Sequence, residues 1–275
     1  MTLSRLDLDG LGAPTALAER IHEICADLPP AFDIADLCTK LDILSIKEID
    51  TNAFEAALLM DEHKANGSIL LARGRWPERH RFSIGHELGH FLIPTHQARP
   101  GQPMSCSLDD LRLTDTKSRD LHKRVEAEAN RFAAALLMPP KRLRKAMTSR
   151  EPDLREIVAL ARDFGVSREA MARSYVEAHR ASVAVILLHH GRVDRIYRPD
   201  TFPWLEPAIG QPVPTDSLAA ISQLAPRECT DIEECEADVW FSAQNAARIE
   251  VASEQVLGQN SGYAMVLLHV EGEDF

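Results

Sequence analysis

His86-Glu87-Leu88-Gly89-His90 sets two imidazoles four residues apart with a carboxylate beside the first. On an α-helix, residues i and i+4 share a face about 6 Å apart along the axis, so His86 and His90 can grip one ion. Glu87 lies roughly 100° round the same helix, near enough to reach a water beside that ion but turned away from the ligand pair. This is the H-E-x-x-H arrangement of zinc proteases, in which the metal polarises a carbonyl and the glutamate moves the proton. Five residues alone also fit an exposed helical turn with polar decoration, so the flanking sequence decides.

The flanks predict that the motif is helical. Pro77 suits a first helical position and Pro94 stops the helix, giving a span to about residue 93. Upstream, a helix is expected after Pro14-Thr15 with Leu17, Ile21, Ile24 and Leu28 on one stripe, and Asp33 reads as the N-cap of a short second helix. Short strands are predicted over 43–48, 56–60 and 68–72, the last two flanking a turn that ends in Asn66-Gly67. A polar loop over 95–114 leads to a second long helix ending at Met138-Pro139-Pro140. On that helix Leu121, Val125, Ala129, Phe132 and Leu136 step as a core stripe, and His122, Glu126, Asn130 and Ala133 form a mostly polar stripe beside it.

A hydrolytic zinc site takes three protein ligands and leaves the fourth position to water. Glu126, on the polar stripe, is the first choice for the third ligand; Glu128, His122 and His96 are the alternatives. Asn130, one turn after Glu126, suits a hydrogen bond to the non-ligating ring nitrogen of His86 or His90. Gly85 and Gly89 each cost a helix about 1 kcal/mol relative to Ala, which a close approach of Ala129 and Ala133 would offset.

Arg81-Phe82-x-x-Gly85-His86-Glu87-Leu88-Gly89-His90 followed by Glu126-x-x-Ala129-Asn130-x-Phe132-Ala133-x-x-Leu136-Leu137-Met138-Pro139 resembles the ImmA/IrrE family of zinc metallopeptidases. The resemblance implies that His86, His90 and Glu126 bind Zn2+ and that Glu87 is catalytic. It also implies an α+β, zincin-like fold and a helix-turn-helix repressor or antitoxin as the protein substrate, cleaved in response to stress, a mobile element or phage. Within this frame His122 is a candidate oxyanion stabiliser, and Cys106, in the loop between the two helices, is a candidate occupant of the open zinc position as a switch. The strand over 68–72 is expected to be the edge on which an extended substrate is laid.

The rest of the chain bounds the reading. Residues 1–150 are assigned to the zincin-like metallopeptidase domain, 151–180 to a helical pair resembling a helix-turn-helix, and 181–275 to a small, strand-rich α+β C-terminal domain with a regulatory role. In the pair, Leu160-Ala161-x-x-Phe164-Gly165-Val166-Ser167 has the shape of a helix-turn-helix turn, but Arg155, Arg162, Arg168, Arg173 and Arg180 are matched by Asp153, Glu156, Asp163, Glu169 and Glu177. With a net charge of −11 over the whole chain, DNA binding is not expected. His189-His190 at a hairpin tip and the acidic run from Glu228 to Asp238 read as solvated surface.

No apolar run approaches the ~20 residues of a membrane helix, and Asp7, Asp9, Glu19 and Glu23 fall where a leader would be apolar. Five cysteines without C-x-x-C spacing suit a reducing, cytoplasmic setting. The leading function is therefore a cytoplasmic zinc endopeptidase. The alternative is a zinc-binding regulatory protein that acts by binding a partner or DNA without proteolysis; oligomeric state is left open.

Overall fold

The computed structural model describes residues 3–97, 104–113, 115–147, 151–222 and 224–272, a mixed α+β chain. Internal contacts divide it into two compact units, Met1–Pro140 with Asp163–Ser167, and Lys141–Arg162 with Arg168–Phe275.

The first unit begins with α1 (Pro14–Ile24), opened by a proline at its first turn, and α2 (Ile34–Lys40). Asp33 caps α2 by accepting from the backbone N–H groups of Ala35 and Asp36, satisfying donors the helix cannot pair internally. Strands β1 (Ile43–Ile49), β2 (Ala56–Met60) and β3 (Gly67–Ala72) follow, then α3 (Pro77–Leu92), β4 (Met104–Cys106) and α4 (Leu121–Leu137). The sheet order is β1-β3-β2-β4. β2 and β3 form the expected antiparallel hairpin, with Met60 opposite Gly67, whereas β1 runs parallel to β3.

Two expectations need correction. The strand over 68–72 is not an edge: β3 is hydrogen-bonded on both sides, and the edge beside β2 belongs to β4, which forms inside the stretch read as a polar loop. Its pairing partner lies about fifty residues away in sequence, and three residues with little alternation carry no periodic signal. Leu121, read as core, is 62% exposed. It occupies the first turn of α4, and the buried residues of that helix start at Glu126.

Helix α3 packs on β2 and β3, α4 crosses α3, and α1 packs on α4. The crossing uses the two glycines. A Cβ on Gly85 would lie 3.3 Å from Ala133 Cβ, and one on Gly89 would lie 3.3 Å from both Cα and O of Ala129. Side chains there would hold the helices apart. The last turn of α3 is closed by Lys64, whose Nζ donates to the carbonyls of His90 and Ile93 at 2.8 and 2.7 Å.

The second unit holds most of α5 (Pro140–Ala146) and α6 (Leu154–Phe164), all of α7 (Arg168–Ala178), and a five-stranded antiparallel sheet. Its strands are β5 (Ser182–His189), β6 (Arg192–Tyr197), β7 (Glu233–Glu234), β8 (Ile249–Gly258) and β9 (Tyr263–Gly272), in the order β6-β5-β9-β8-β7. The short helices α8 (Leu218–Ile221) and α9 (Ala243–Ala246) lie between β6 and β8 in the chain. Trp240, Phe202, Phe241, Ile186 and Val266 fill the core. Glu254 is fully buried there, but its carboxylate accepts from Trp240 Nε1 and from the backbone N–H groups of Leu218 and Ala219, so the polar group is satisfied. Helix α7 packs on β5 and β6. The acidic residues Glu228, Asp231, Glu233, Glu234, Glu236 and Asp238 are exposed. No described helix is long and apolar enough to cross a membrane.

Candidate metal centre

The H-E-x-x-H motif lies in the C-terminal half of α3, where every residue from Ser83 to Phe91 is buried. The spacing of four brings Nε2 of His86 and Nε2 of His90 to 3.0 Å. Helix α4 supplies Glu126, whose Oε2 lies 3.1 Å from His86 Nε2 and 3.5 Å from His90 Nε2. That oxygen is buried without a hydrogen bond, off the direction either ring N–H would take. Three donor atoms thus face one point that none of them fills.

The spacing suits a tetrahedral cation. Zinc binds nitrogen and carboxylate oxygen at about 2.0–2.2 Å, so two ligands of one tetrahedron stand roughly 3.3 Å apart. The observed 3.0, 3.1 and 3.5 Å bracket that value. Two imidazoles and a carboxylate also have the borderline donor chemistry zinc accepts.

The surroundings prepare these donors. Asn130, one turn beyond Glu126, gives both amide hydrogens to the carbonyls of Asp110 and Leu113 at 2.7 and 2.9 Å. Its Oδ1 is therefore the end that meets His86 Nδ1, at 2.8 Å, and it accepts the ring proton there. That leaves the lone pair of His86 on Nε2, toward Glu126. Burial pushes His90 down to about 3, with the neighbouring His86 adding to the effect, so its ring is neutral. For His86 burial acts in the same direction, but the carboxylates of Glu126 and Glu87 outweigh it and raise the ring above its ordinary value. Burial tends to raise Glu126, yet the two histidines hold it well below the usual carboxylate range.

Glu87 points elsewhere, as its 100° offset requires. Burial raises its carboxyl to about 7, against the lowering effects of His86 and of the Cys106 thiol. Cys106 Sγ donates to Glu87 Oε1 at 3.1 Å and to Ala56 O at 3.6 Å, while Glu87 Oε2 is buried without a partner. Burial and the Glu87 carboxylate drive the thiol far above its ordinary value, which makes it a hydrogen-bond donor rather than a thiolate. Two overlapping groups of metal-capable atoms result, His86-His90-Glu126 and His86-Glu87-Cys106.

Of the other candidates, His122 is 61% exposed on its side chain, with Nε2 3.1 Å from Asp110 Oδ1 and Nδ1 3.8 Å from Glu126 Oε1. It stands outside the buried group. His96 and Glu128 are paired with each other at 3.0 Å, and His96 Nδ1 meets His90 Nδ1, also at 3.0 Å. They lie behind His90, away from Glu126. Neither residue, each an alternative for the third ligand, belongs to the His86-His90-Glu126 group, and no sequence pattern signals their pairing. A histidine in an aperiodic loop carries no orientation, and only the two-residue offset of Glu128 from Glu126 hinted at a different face. In the second unit, His189 stacks on Tyr263, with ring centroids 4.1 Å apart.

Residues 38–174 match the peptidase family described as the IrrE N-terminal-like domain. Over 182 residues the chain is 31% identical to the radiation response metalloprotease IrrE of Deinococcus deserti, a match spanning 63% of this chain and 58% of that relative. Among solved structures, a Mycobacterium tuberculosis transcriptional regulator superposes with a TM-score of 0.52 over 94% of this chain and 87% of its own, at 16% identity, a likeness of fold alone. Motif order, helix crossing and the match over residues 38–174 agree: through that segment the chain belongs to the ImmA/IrrE family.

Proposed function

We propose that the protein is a zinc-dependent endopeptidase that cleaves a regulatory protein in the cytoplasm, a helix-turn-helix repressor or an antitoxin of that type. The observation that carries this reading is the buried convergence of His86 Nε2, His90 Nε2 and Glu126 Oε2, with Glu87 alongside and turned out of the ligand set. The family, a metalloprotease relative and five free cysteines support it.

His86, His90 and Glu126 hold the metal, Asn130 orients His86, and the first unit is the zincin-like catalytic domain. Zinc, when bound, supplies a Lewis acid that polarises the scissile carbonyl and acidifies water. Glu87 accepts the proton of the attacking water on its unpartnered oxygen and delivers it to the departing amine nitrogen. With its carboxyl near 7, Glu87 is matched to both transfers at neutral pH. Cys106 fixes Glu87 through the other oxygen. Because β4 forms the sheet edge beside β2 and carries Cys106, an extended target segment pairs along β4 rather than along β3. The second unit is assigned a regulatory role.

The test is Glu87→Gln. This variant should bind zinc at one equivalent and leave intact a helix-turn-helix protein encoded beside it, which the wild type cuts. Full cleavage by the variant would refute the peptidase mechanism. Zinc binding without cleavage by either protein would favour the non-proteolytic regulator, and absence of zinc from the wild type would refute both.

A further inference from the structure

We infer that His96 and Glu128 act as positioning residues that fix the tautomer of His90 and so direct its lone pair into the metal site. The inference rests on the metal reading above. It starts from an unusual contact, two buried imidazoles meeting Nδ1 to Nδ1 at 3.0 Å, with His90 1% and His96 0% exposed.

With both rings neutral, one proton sits between those nitrogens, and there are two ways to place it. If His90 donates, His96 Nδ1 accepts, and a neutral His96 then carries its other proton on Nε2, 3.0 Å from the Glu128 carboxylate. Each contact is then a donor facing an acceptor, and His90 Nε2 is left with the lone pair a metal needs. If His96 donates instead, its Nε2 lone pair faces the Glu128 carboxylate, two acceptors in contact. His90 Nε2 then carries a proton aimed at His86 and Glu126 and cannot ligate. The carboxylate at the far end of the chain selects the first arrangement, reaching the metal site through two rings.

His86 and His90 are thus oriented by different means. Asn130 does it directly for His86, whereas His90 needs the longer route because its Nδ1 points to the loop after α3 rather than to α4. Glu128 sits two residues from Glu126 on the same helix, so α4 supplies the ligand and, from its flank, the group that orients a ligand on the neighbouring helix.

The experiment uses the full chain and reads zinc affinity by competition with a chromophoric chelator, together with the ring-nitrogen NMR shifts of His90 in the metal-free protein. His96→Asn places Oδ1 about where Nδ1 stood and keeps an acceptor for the His90 proton; its affinity should stay close to that of the wild type. His96→Phe fills the space without an acceptor and should weaken zinc by about 10- to 100-fold, the usual loss when a ligand's hydrogen-bond partner is removed. Should His96→Phe fail to fold, Glu128→Gln, at the half-buried end of the chain, replaces it; its amide can donate to His96, and the His90 shifts should move from the Nδ1–H form toward a mixture. Equal affinities for Asn and Phe variants, or unchanged His90 shifts in Glu128→Gln, would overturn the inference. A wild type that takes no zinc would overturn the metal reading itself, and the NMR shifts would still decide the tautomer.

Discussion

A methyl group at Gly89 tests whether the metal site depends on the closeness of the two helices. Its Cβ would stand 3.0 Å from Phe132 Cδ1 and 3.3 Å from both Cα and O of Ala129. The Phe132 ring is fully buried and the Ala129 contacts are backbone, so neither yields by rotating a free side chain. Restoring ordinary contact at about 3.5 Å requires α4 to back away by roughly 0.2–0.5 Å. Glu126 is less than one turn from Ala129 and moves with it, while metal–ligand distances tolerate only about 0.2 Å. Gly89→Ala should therefore weaken zinc by about tenfold or more, on the order of 1.4 kcal/mol. Fold stability should fall by no more than about 2 kcal/mol, because about 1 kcal/mol of helix propensity is gained against about 1–3 kcal/mol of overpacking. Gly85→Ala is the milder comparison: its Cβ meets Ala133 Cβ at 3.3 Å, with Ala133 Cα and the end of Ile34 both at 3.5 Å, one tight contact against three at Gly89, so its effect on zinc should be smaller. Chelator competition and thermal melting on both variants supply the numbers. A Gly89→Ala protein that binds zinc as tightly as the wild type, with a raised Tm, would show that the glycine is tolerated rather than required.

Two further outcomes follow from the contacts of the site. Asn130→Ala removes the acceptor on His86 Nδ1 and strands the carbonyls of Asp110 and Leu113, so zinc affinity should fall by about 10- to 100-fold, read by the same competition titration. Cys106→Ala removes a hydrogen bond that lowers Glu87, so the carboxyl should rise further and the acidic limb of the pH profile of kcat/KM should move to higher pH with zinc content unchanged; Cys106→Ser, which keeps a donor, should shift it less. A Cys106→Ala profile superimposable on the wild type would refute the thiol's role.

What the sequence discloses here follows from what is local. The helix bearing His86 and His90 is bounded by Pro77 and Pro94, and a spacing of four is a local property, so motif, helix and ligand pair are legible together. Glu126 and Asn130 are legible for the same reason, as one stripe of a helix whose other stripe is apolar. Strand positions are nearly right, but their order is not readable. The parallel pairing of β1 with β3 and the addition of β4 depend on contacts between distant segments that leave no periodic trace. His96 and Glu128 were visible as residue types, but their meeting is a consequence of how the loop after α3 folds back on α4.

The same division runs through the site's chemistry. The proposed ligands His86, His90 and Glu126 stand on two helices locked by small residues, whereas Cys106 and Asp110 come from the segment joining them and His122 from the exposed first turn of α4. Metal coordination needs positions held to a fraction of an ångström, which packed helices supply; the Glu87 carboxylate is tuned instead from β4, through the buried Cys106 thiol. Substitutions at the crossing should therefore change zinc affinity first and pH dependence little. Those between residues 104 and 122 should do the reverse, except where, as at Asp110 and Leu113, a backbone carbonyl of the connection holds Asn130 and reaches the metal through it.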